Sequence, residues 1–396
     1  MIHVAMIGAG AISGIYLKNL TETFSEVELI GVCDLIPERA EKAAAYCRAQ
    51  QEKGIACPVP KIYPTMHDAF ADPAVDVVLN LTRPYEHYAV TKAALLAGKH
   101  VYSEKPLAAD MAEGDELIAL AREKGLQMGG APDTFLGAGI QTCRKLIDDG
   151  VIGDVIGAEC AMICHGHETW HPDPEFYYKR GGGPMMDMGP YYITALVQLL
   201  GEVAGVTGVT KRSFPQRIIT SQPHRGEVID VDVDTYVTGT LHFRSGAIGT
   251  IFTTFDVHYG PRNQARFEIY GTKGTLAVPD PNTFGGPVRL YRPEDQTPPT
   301  AVDPALLGAV GEYQGFREIP LMFDYRDNSR ALGLADMCRA LETGRAHRAD
   351  AQQQHHVLEI LTAFSESSAR GAYLPLKTRY TRTAPMKNNP IHGILD

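Results

Sequence analysis

The sequence lacks the features that direct a protein to a membrane or to nucleic acid. No apolar run approaches the roughly 18 residues of a membrane-spanning helix. The net charge is −10, and no basic stripe is present to follow a phosphate backbone. The seven cysteines form no disulfide framework, and Met1 leads directly into an apolar run without room for a signal peptide. We therefore expect a cytoplasmic protein that binds neither membranes nor nucleic acid.

The composition that remains is that of an ordinary globular protein. Hydrophobic residues make up 44% of the chain and charged residues 21%, which is enough for a substantial core. A length of 396 residues favours two domains. Because the pattern of elements changes near residue 130, we predict one domain over 1–130 and a second over 131–396.

The first segment alternates apolar strands with amphipathic helices. Predicted strands lie at 2–7, 28–33, 75–81, 99–103 and 126–129. Predicted helices run from the first glycine turn to about 23, over 37–52, through the segment that carries His87, and over 110–124. This alternation predicts an α/β domain with a parallel sheet.

A glycine turn follows the first predicted strand. Gly8 and Gly10 allow the backbone to approach a pyrophosphate, which the N-terminus of the next helix attracts. Gly14 comes one residue later than in the G-x-G-x-x-G pattern, so an ordinary tight turn is the alternative. Asp34 ends the next strand, near the spacing expected for the acid that binds the adenine ribose. Asp34 repels a 2′-phosphate and the next two residues supply no cation, which favours NAD over NADP.

Lys105 lies at the end of a strand in the stretch His100-Val101-Tyr102-Ser103-Glu104-Lys105-Pro106-Leu107. Pro106 removes a backbone donor and biases Lys105 away from helical angles. In a doubly wound sheet such strand ends line the ligand crevice. We expect the lysine to bridge a cofactor and a substrate hydroxyl, and the alternative is a surface lysine before a turn.

The second segment changes to an α+β pattern. Strands with β-branched residues and Gly-rich turns predict a mostly antiparallel, open-faced sheet. The predicted strands are 155–164, 203–213, 233–243, 246–256, 264–270 and 273–278. The predicted helices are 135–149, 187–200, 326–343 and 353–370, and 280–323 is read as a long excursion.

The stretch from Gly181 to Tyr192 carries a second set of polar side chains. Asp187 and Tyr191 are four residues apart and share one face of a predicted helix. An acid and a phenol that face a strand-end lysine form a proton-handling set. The alternative is a glycine loop followed by an acid that suits a helix start.

A cluster of histidines and the single tryptophan precedes this helix. We expect His165, His167, Trp170 and His171 to bind a sugar by ring stacking and hydrogen bonds. Ordinary loop histidines are the alternative. Cys160 and Cys164 do not match the spacing of a structural zinc site, and we expect no metal.

These motifs together resemble the Gfo/Idh/MocA family, the relatives of glucose–fructose oxidoreductase and inositol dehydrogenase. The resembling features are Gly8-Ala9-Gly10, Asp34, Glu104-Lys105-Pro106, Gly183 with Asp187 and Gly189, and Tyr270-Gly271-Thr272-Lys273-Gly274-Thr275. The resemblance implies an N-terminal Rossmann parallel sheet, a C-terminal open-faced sheet, tightly held NAD(P) and a sugar or polyol substrate. It also places Lys105 and Asp187 in the active site, and implies a homodimer or homotetramer through the open sheet face. The residues expected to bind the cofactor are Gly8, Gly10, Ala11, Ile12, Asp34, Arg39, Leu81, Thr82, Pro84, His87, Glu104 and Lys105.

The chain departs from the family pattern at two positions. Many members carry His four residues after the aspartate and Asp three residues beyond it, where this chain has Tyr191 and Thr194. A tyrosine has a reference pKa near 10 and needs a neighbouring cation to act as a base at pH 7, which Lys105 can supply. Whether Tyr191 or Lys105 takes the proton stays open.

These observations predict an NAD-dependent oxidoreductase that acts on a secondary alcohol of a sugar, polyol or glycoside. Lys105 orients the hydroxyl, Tyr191 or Lys105 removes its proton, and Asp187 positions that base. One alternative is an NAD-dependent glycosidase, in which the hydride leaves and returns and the glycosidic bond breaks by elimination. Another is a non-catalytic protein that senses sugar and NAD. Net NADH formation separates the first interpretation from both alternatives.

Overall fold

The first half of the chain forms a parallel sheet with helices on its faces. The computed structural model describes residues 1–258, 266–295, 315–388 and 391–396. The strands of this half are β1 (Ile2–Ile7), β2 (Val27–Cys33), β3 (Lys61–Ile62), β4 (Val77–Asn80), β5 (His100–Ser103) and β6 (Met128–Gly130). Its helices are α1 (Ser13–Glu22), α2 (Pro37–Glu52), α3 (Met66–Ala71), α4 (His87–Leu96) and α5 (Met111–Lys124).

The strand order in this sheet is β3-β2-β1-β4-β5-β6, and each of these pairs is parallel. This is the order of a doubly wound dinucleotide-binding sheet, whose chain reverses direction between β1 and β4. Ligands of such sheets bind at the carboxyl ends of the strands beside that reversal. The carboxyl ends of β1, β4 and β5 therefore define the place to look for a site.

Local sequence explains where the helices begin and end. Asp110 accepts a hydrogen bond from the Glu113 N–H at 3.0 Å and begins α5, and Gly125 ends it in the left-handed conformation. Thr65 and Asp68 form a reciprocal capping box at the start of α3. Neither α3 nor β3 is predicted from the sequence, because both are too short to show a period.

The second half forms a larger mixed sheet. Its strands are β7 (Val155–Ile163), β8 (Val203–Lys211), β9 (Gln216–Ile218), β10 (Val228–Asp230), β11 (Tyr236–Phe243), β12 (Ile248–Thr254), β13 (Arg266–Gly271), β14 (Thr275–Ala277), β15 (Val288–Tyr291), β16 (Arg317–Ile319) and β17 (Leu374–Pro375). Its helices are α6 (Ala138–Asp148), α7 (Pro184–Asp187), α8 (Gly189–Leu200), α9 (Leu332–Thr343) and α10 (Ala351–Arg370). Short 3₁₀ turns cover Thr134–Leu136, Glu175–Tyr178 and Pro293–Asp295.

The described strands of this sheet follow the order β16-β15-β14-β13-β7-β12-β11-β8-β17, and β9 and β10 form a separate hairpin. Only β7 and β12 are parallel among these described pairs. Val237, Leu241 and Ile251 are buried on one face, whereas Thr250 points outward and is exposed. The prediction of a mostly antiparallel sheet with one open face is confirmed.

Helix α10 and the C-terminal segment connect the two halves. Helix α10 packs on α5 and β6 of the first half and on β8 and α8 of the second. The Leu395 N–H donates to Glu26 Oε2 at 3.1 Å, and Arg348 Nη2 donates to Asp396 Oδ1 at 2.9 Å. The contact with Glu26 joins the C-terminus to the first half, and the contact with Arg348 anchors it to the second, so side chains from either half can meet at a shared site.

Several predicted element boundaries are wrong. The predicted helix 187–200 begins at Pro184 and breaks at Met188 into α7 and α8, because Gly189 and Pro190 interrupt the helical hydrogen bonds. The predicted helix 326–343 begins only at Leu332, after a residue with positive φ, Ala331. Residues 264–265 of one predicted strand and 296–314 of the predicted excursion lie outside the described residues.

Gly8 is a position where the fold requires glycine. Its φ is +94°, and a Cβ atom there would lie 2.7 Å from the Leu81 carbonyl oxygen at the end of β4. We expect Gly8→Ala to lower the free energy of unfolding by at least about 1 kcal/mol, the cost of a left-handed conformation for an L-residue. Urea unfolding followed by circular dichroism measures this change.

Gly14→Ala is the matched control. Gly14 lies inside α1, and no atom comes within 4 Å of its added Cβ. This change should leave the stability unchanged or raise it by about 0.4–1 kcal/mol. Equal stabilities of the Gly8 and Gly14 variants would contradict the role given to the turn.

Candidate active site

The glycine turn leaves the start of α1 open to a ligand. Gly8 brings the chain against the end of β4, and an added Cβ at Gly10 would meet no atom within 4 Å. No side chain in the described residues caps the N-terminus of α1 at Ile12. Free N–H groups and the helix dipole attract a phosphate at such a terminus. The turn at Gly8, Gly10, Ala11 and Ile12 therefore fits a pyrophosphate.

Asp34 is fixed at the carboxyl end of β2. Its Oδ2 accepts from the Ala9 N–H at 2.7 Å, and its Oδ1 accepts from the Ile36 N–H at 2.8 Å. Arg39 Nη1 lies 3.9 Å from Asp34 Oδ1. The two residues after Asp34 supply no cation, but the first turn of α2 brings Arg39 back to the carboxylate.

The ends of β4 and β5 are joined through His87. Its Nδ1 lies 2.7 Å from the Pro106 carbonyl oxygen, and its Nε2 lies 3.0 Å from the Thr82 carbonyl oxygen. Burial lowers the pKa of His87, so the ring is neutral and donates only one of these two bonds. Thr82 Oγ1 also donates to Asn80 Oδ1 at 2.6 Å. His87 thus ties the loop of Leu81, Thr82 and Pro84 to the loop that carries Lys105.

Lys105 and Asp187 form an ion pair between the two halves of the chain. Lys105 Nζ donates to Asp187 Oδ1 at 2.8 Å and to the Asp187 carbonyl oxygen at 2.7 Å. The side chains are 14% and 16% exposed. Glu104 accepts from the Tyr16 hydroxyl at 2.8 Å and from the Lys105 N–H at 3.1 Å. These contacts fix the lysine where β5 ends.

The ion pair keeps both groups charged at neutral pH. Burial lowers the pKa of Lys105, but the charges of Asp187 and Glu104 outweigh it and raise that pKa above its ordinary value. Burial raises the pKa of Asp187, but Lys105 and a hydrogen bond from His167 outweigh it and lower that pKa. Lys105 is therefore an ammonium group that donates hydrogen bonds.

Tyr191 lies on the other side of Lys105, in the first turn of α8. The Lys105 Nζ lies 5.1 Å from the centroid of the Tyr191 ring, in cation–π geometry. Arg330 lies near Tyr191 and donates to Asn328 Oδ1 and Asn282 Oδ1, both at 2.8 Å. Arg330 is not predicted from the sequence, because the irregular segment before α9 gives no periodic signal.

Of the predicted sugar-binding residues, His167 reaches Asp187. Its Nε2 lies 3.2 Å from Asp187 Oδ2. Trp170 is 61% exposed and packs edge-on against both His167 and His171. His165 instead stacks on His258, with ring centroids 3.5 Å apart. The structure therefore gathers Lys105, Asp187, Tyr191 and His167, with Trp170 and His171 at the edge and His165 farther along the loop.

Arg217 fixes this histidine-rich loop, and the sequence analysis misses it. The guanidinium, in β9, donates to Glu168 Oε1 at 3.1 Å, to Asp256 Oδ1 at 2.6 Å and to the His165 carbonyl oxygen at 3.3 Å. Its side chain is 4% exposed. Tyr178 also hydrogen-bonds Glu168. The cluster holds the loop against the end of β12 by charge pairing inside the protein.

The comparisons with known proteins place the chain in a family. A family model described as an oxidoreductase family with an NAD-binding Rossmann fold matches residues 2–130. The model of the GFO/IDH/MocA C-terminal domain matches residues 140–277. The chain belongs to the Gfo/Idh/MocA family of NAD-dependent oxidoreductases. The predictions of the family, the fold class and an NAD cofactor are confirmed.

Individual relatives support the same assignment. The chain is 26% identical over 284 residues to D-xylose dehydrogenase of Paenarthrobacter nicotinovorans. The aligned stretch covers 70% of this chain and 71% of the relative. It is 34% identical over 152 residues to the inositol 2-dehydrogenase/D-chiro-inositol 3-dehydrogenase of Lactiplantibacillus plantarum, covering 38% and 41% of the two chains. The structure of apo levoglucosan dehydrogenase has a TM-score of 0.76 at 22% identity, and covers 96% of this chain and 99% of that chain. This last likeness concerns the fold.

The described residues offer neither a metal-binding cluster nor a membrane-spanning helix. No group of three or more His, Cys, Asp or Glu side chains there is arranged to hold a metal ion. No helix within the described ranges is both long enough and apolar enough to cross a membrane.

Replacing Arg217 should weaken the whole loop. We expect Arg217→Gln to lower the free energy of unfolding by about 3–5 kcal/mol, because Glu168 and Asp256 lose the charge that compensates their burial. Urea unfolding measures the loss. Arg225→Gln, at an exposed arginine between β9 and β10, is the control and should change stability by less than about 0.5 kcal/mol. Similar losses of stability in both variants would contradict the stabilising role given to the Arg217 cluster.

Proposed function

We propose that the chain transfers a hydride between NAD and a secondary alcohol of a sugar, polyol or glycoside. The observation that carries this proposal is the Lys105–Asp187 ion pair at the carboxyl end of β5, beside the glycine turn. Such a strand end is where a doubly wound sheet presents its ligand. The relatives named as xylose and inositol dehydrogenases support a polyhydroxylated substrate.

The residues of the turn and the strand ends fit the cofactor. The backbone at Gly8 and Gly10 has space for a pyrophosphate. In a complex, Asp34 would offer its carboxylate to the adenine ribose, and Thr82 and Glu104, at the ends of β4 and β5, would contact the nicotinamide half. A bound NAD supplies the hydride acceptor, and that chemistry belongs to the cofactor. Because Asp34 repels a 2′-phosphate, we propose NAD in preference to NADP.

The lysine acts on the substrate oxygen. Lys105 stays cationic and donates a hydrogen bond to the hydroxyl, which stabilises negative charge as the oxygen loses its proton. Asp187 holds the ammonium group in place through two acceptors. Trp170 and His171, at the edge of the site, offer a ring face and a polar edge to the sugar.

Residues 1–130 hold the cofactor in this proposal, and residues 131–396 shape the substrate site. A cytoplasmic location suits the chain because its seven cysteines, all within the described residues, are free.

The outer face of the second sheet is the proposed contact between copies of the chain. Glu268, Glu159, Thr250, Thr240 and Thr207 form a row across neighbouring strands on this face. Exposed Val209 and Ile248 lie beside this row and add apolar area. A broad sheet face of threonines, aliphatic side chains and two glutamates suits contact with a second copy, so we propose a homodimer or homotetramer.

Net NADH formation tests the proposed function. The purified protein is incubated with NAD and a panel of sugars, polyols and aryl glycosides, and NADH absorbance and product mass are followed. We expect NADH with a product that has lost two hydrogens. Cleaved glycoside without net NADH would indicate the glycosidase chemistry instead. Unaltered substrate after long incubation would indicate a sensor.

Lys105→Met should reduce kcat on the panel substrate by on the order of 10²-fold or more, because the donor to the developing alkoxide is lost. NADH affinity, measured by fluorescence titration, should change little. Lys145→Met, at an exposed lysine on α6, is the control and should keep the parental kcat. A Lys105 variant with parental kcat would show that this lysine only shapes the strand end.

Thr250→Arg should separate the copies, because it places a charge at the centre of the outer sheet face. We expect sedimentation velocity to show a smaller species than the parent protein. Thr343→Arg, at an exposed position that ends α9, should sediment like the parent. A parent protein that sediments as a monomer would contradict the proposed contact.

A further inference from the structure

The single tryptophan of the chain leaves much of its indole open to solvent. Trp170 is 61% exposed, although it packs against His167 and His171 with ring centroids 5.3 and 5.4 Å apart. An indole with this exposure keeps at least one ring face uncovered. Because single exposed apolar residues are common on protein surfaces, the polar groups beside the ring decide whether it belongs to a site.

His171 places a free hydrogen-bond donor beside the indole. Its Nδ1 accepts from the Asp173 N–H at 3.0 Å. Burial, together with the nearby His167 and Arg83, lowers the pKa of His171, so the ring is neutral at pH 7 and its proton lies on Nε2. This Nε2 has no hydrogen-bond partner within the described residues, yet it is not one of their buried unpaired polar atoms. It therefore stays in contact with solvent, where a ligand hydroxyl can reach it.

An ion pair between the two halves of the chain lies next to this histidine. Arg83, in the loop after β4, hydrogen-bonds to Asp173 and lies over the Phe176 ring, 5.9 Å from its centroid. The Arg83 and Asp173 side chains are 49% and 40% exposed. Each carries more donors or acceptors than this one contact uses, so both can also bind a ligand. We call Trp170, His171, Arg83 and Asp173 the outer group.

His167 lies between the outer group and the Lys105–Asp187 pair. Its Nε2 lies 3.2 Å from Asp187 Oδ2, and its ring packs against Trp170 and Tyr177. No hydrogen bond, ion pair or ring contact within the described residues joins Trp170 directly to Lys105 or Asp187. The site therefore has two separate sets of ligand-binding side chains. A substrate with a second ring joined to the first can occupy both.

The outer group matches a hydroxylated ring better than a plain aromatic one. Trp170 offers an apolar face, His171 and Arg83 offer donors, and Asp173 offers acceptors. A sugar carries hydroxyl groups around an apolar face of C–H bonds, so it can stack on the indole and pair with these polar groups. An aryl ring would displace water from the same polar groups without replacing its hydrogen bonds.

We propose that the substrate is a disaccharide or a longer glycoside, whose second sugar ring stacks on Trp170 and hydrogen-bonds to His171 and the Arg83–Asp173 pair. Lys105 then receives the hydroxyl of the first ring, which is oxidised. This inference rests on the hydride transfer proposed above and names its substrate class. Because the second ring is bound equally in the ground state and the transition state, it lowers KM and leaves kcat nearly unchanged.

The kinetic test compares four substrates that share the sugar found to turn over: the free sugar, its methyl glycoside, its aryl glycoside and a disaccharide that carries it at the non-reducing end. Trp170→Ala should raise KM for the disaccharide about tenfold and change KM for the free sugar and the methyl glycoside less than about twofold. Trp170→Phe, which keeps a smaller ring face, should lose less. Leu96→Ala, at an exposed apolar residue that ends α4, should match the parent.

The emission of Trp170 gives a readout independent of turnover. Because the chain contains no other tryptophan, the indole emission of the protein with NAD bound reports on this residue alone. The disaccharide should shift the emission to shorter wavelength, since a stacked sugar displaces water from the ring face. The free sugar and the methyl glycoside should leave the emission unchanged.

A KM that rises equally for the free sugar and the disaccharide in Trp170→Ala would place Trp170 beside the reacting sugar and overturn the proposal. A disaccharide that turns over without changing the emission would overturn it too. A loss confined to the aryl glycoside would show an aromatic aglycone in place of the second sugar. No NADH from any panel member would contradict the proposed function, whereas an emission shift specific to disaccharides of the panel sugars would still support the outer group as a sugar site.

Discussion

The structure depends on one largely buried ion pair that joins the two halves of the chain. Lys105 ends a strand of the parallel sheet, and Asp187 ends a short helix that leans on the second sheet. Each charge pays a large desolvation cost that only a close partner offsets. The two halves must therefore stay in one relative position. The contacts of α10 and of the C-terminal segment with both halves maintain that position.

The position of Asp187 follows from its local backbone. Gly183 has a φ of +88°, and a Cβ there would lie 2.9 Å from the Asp234 carbonyl oxygen, so the chain turns sharply into α7. The break at Met188 then separates α7 from α8. This break aims Asp187 and Tyr191 at the same lysine from two short helical segments instead of one continuous helix. The geometry of the pair is set by a strained turn and an interrupted helix, while the sheets supply rigidity.

Local patterns were enough to predict the parallel sheet, the open-faced sheet and the residues at strand ends. Gly8, Asp34 and Lys105 each belong to a short motif whose spacing has a direct physical reason, and Asp187 lies near such a motif. Arg217 and Arg330 could not be found in this way. Arg217 meets Asp256 across 39 residues of sequence and Glu168 across 49, so its partners are fixed only by how the strands pair. Likewise, His167 comes within reach of Asp187 only once the loop that carries it has folded.

The central claim is that the Lys105–Asp187 pair marks the point where cofactor and substrate meet. A crystal structure of the chain with NADH and the sugar that turns over tests it most directly. We expect a substrate oxygen within about 3 Å of Lys105 Nζ, a hydrogen-bonding distance, with the carbon that bears it facing the nicotinamide. A sugar bound away from Lys105, with the lysine still donating only to Asp187, would contradict it.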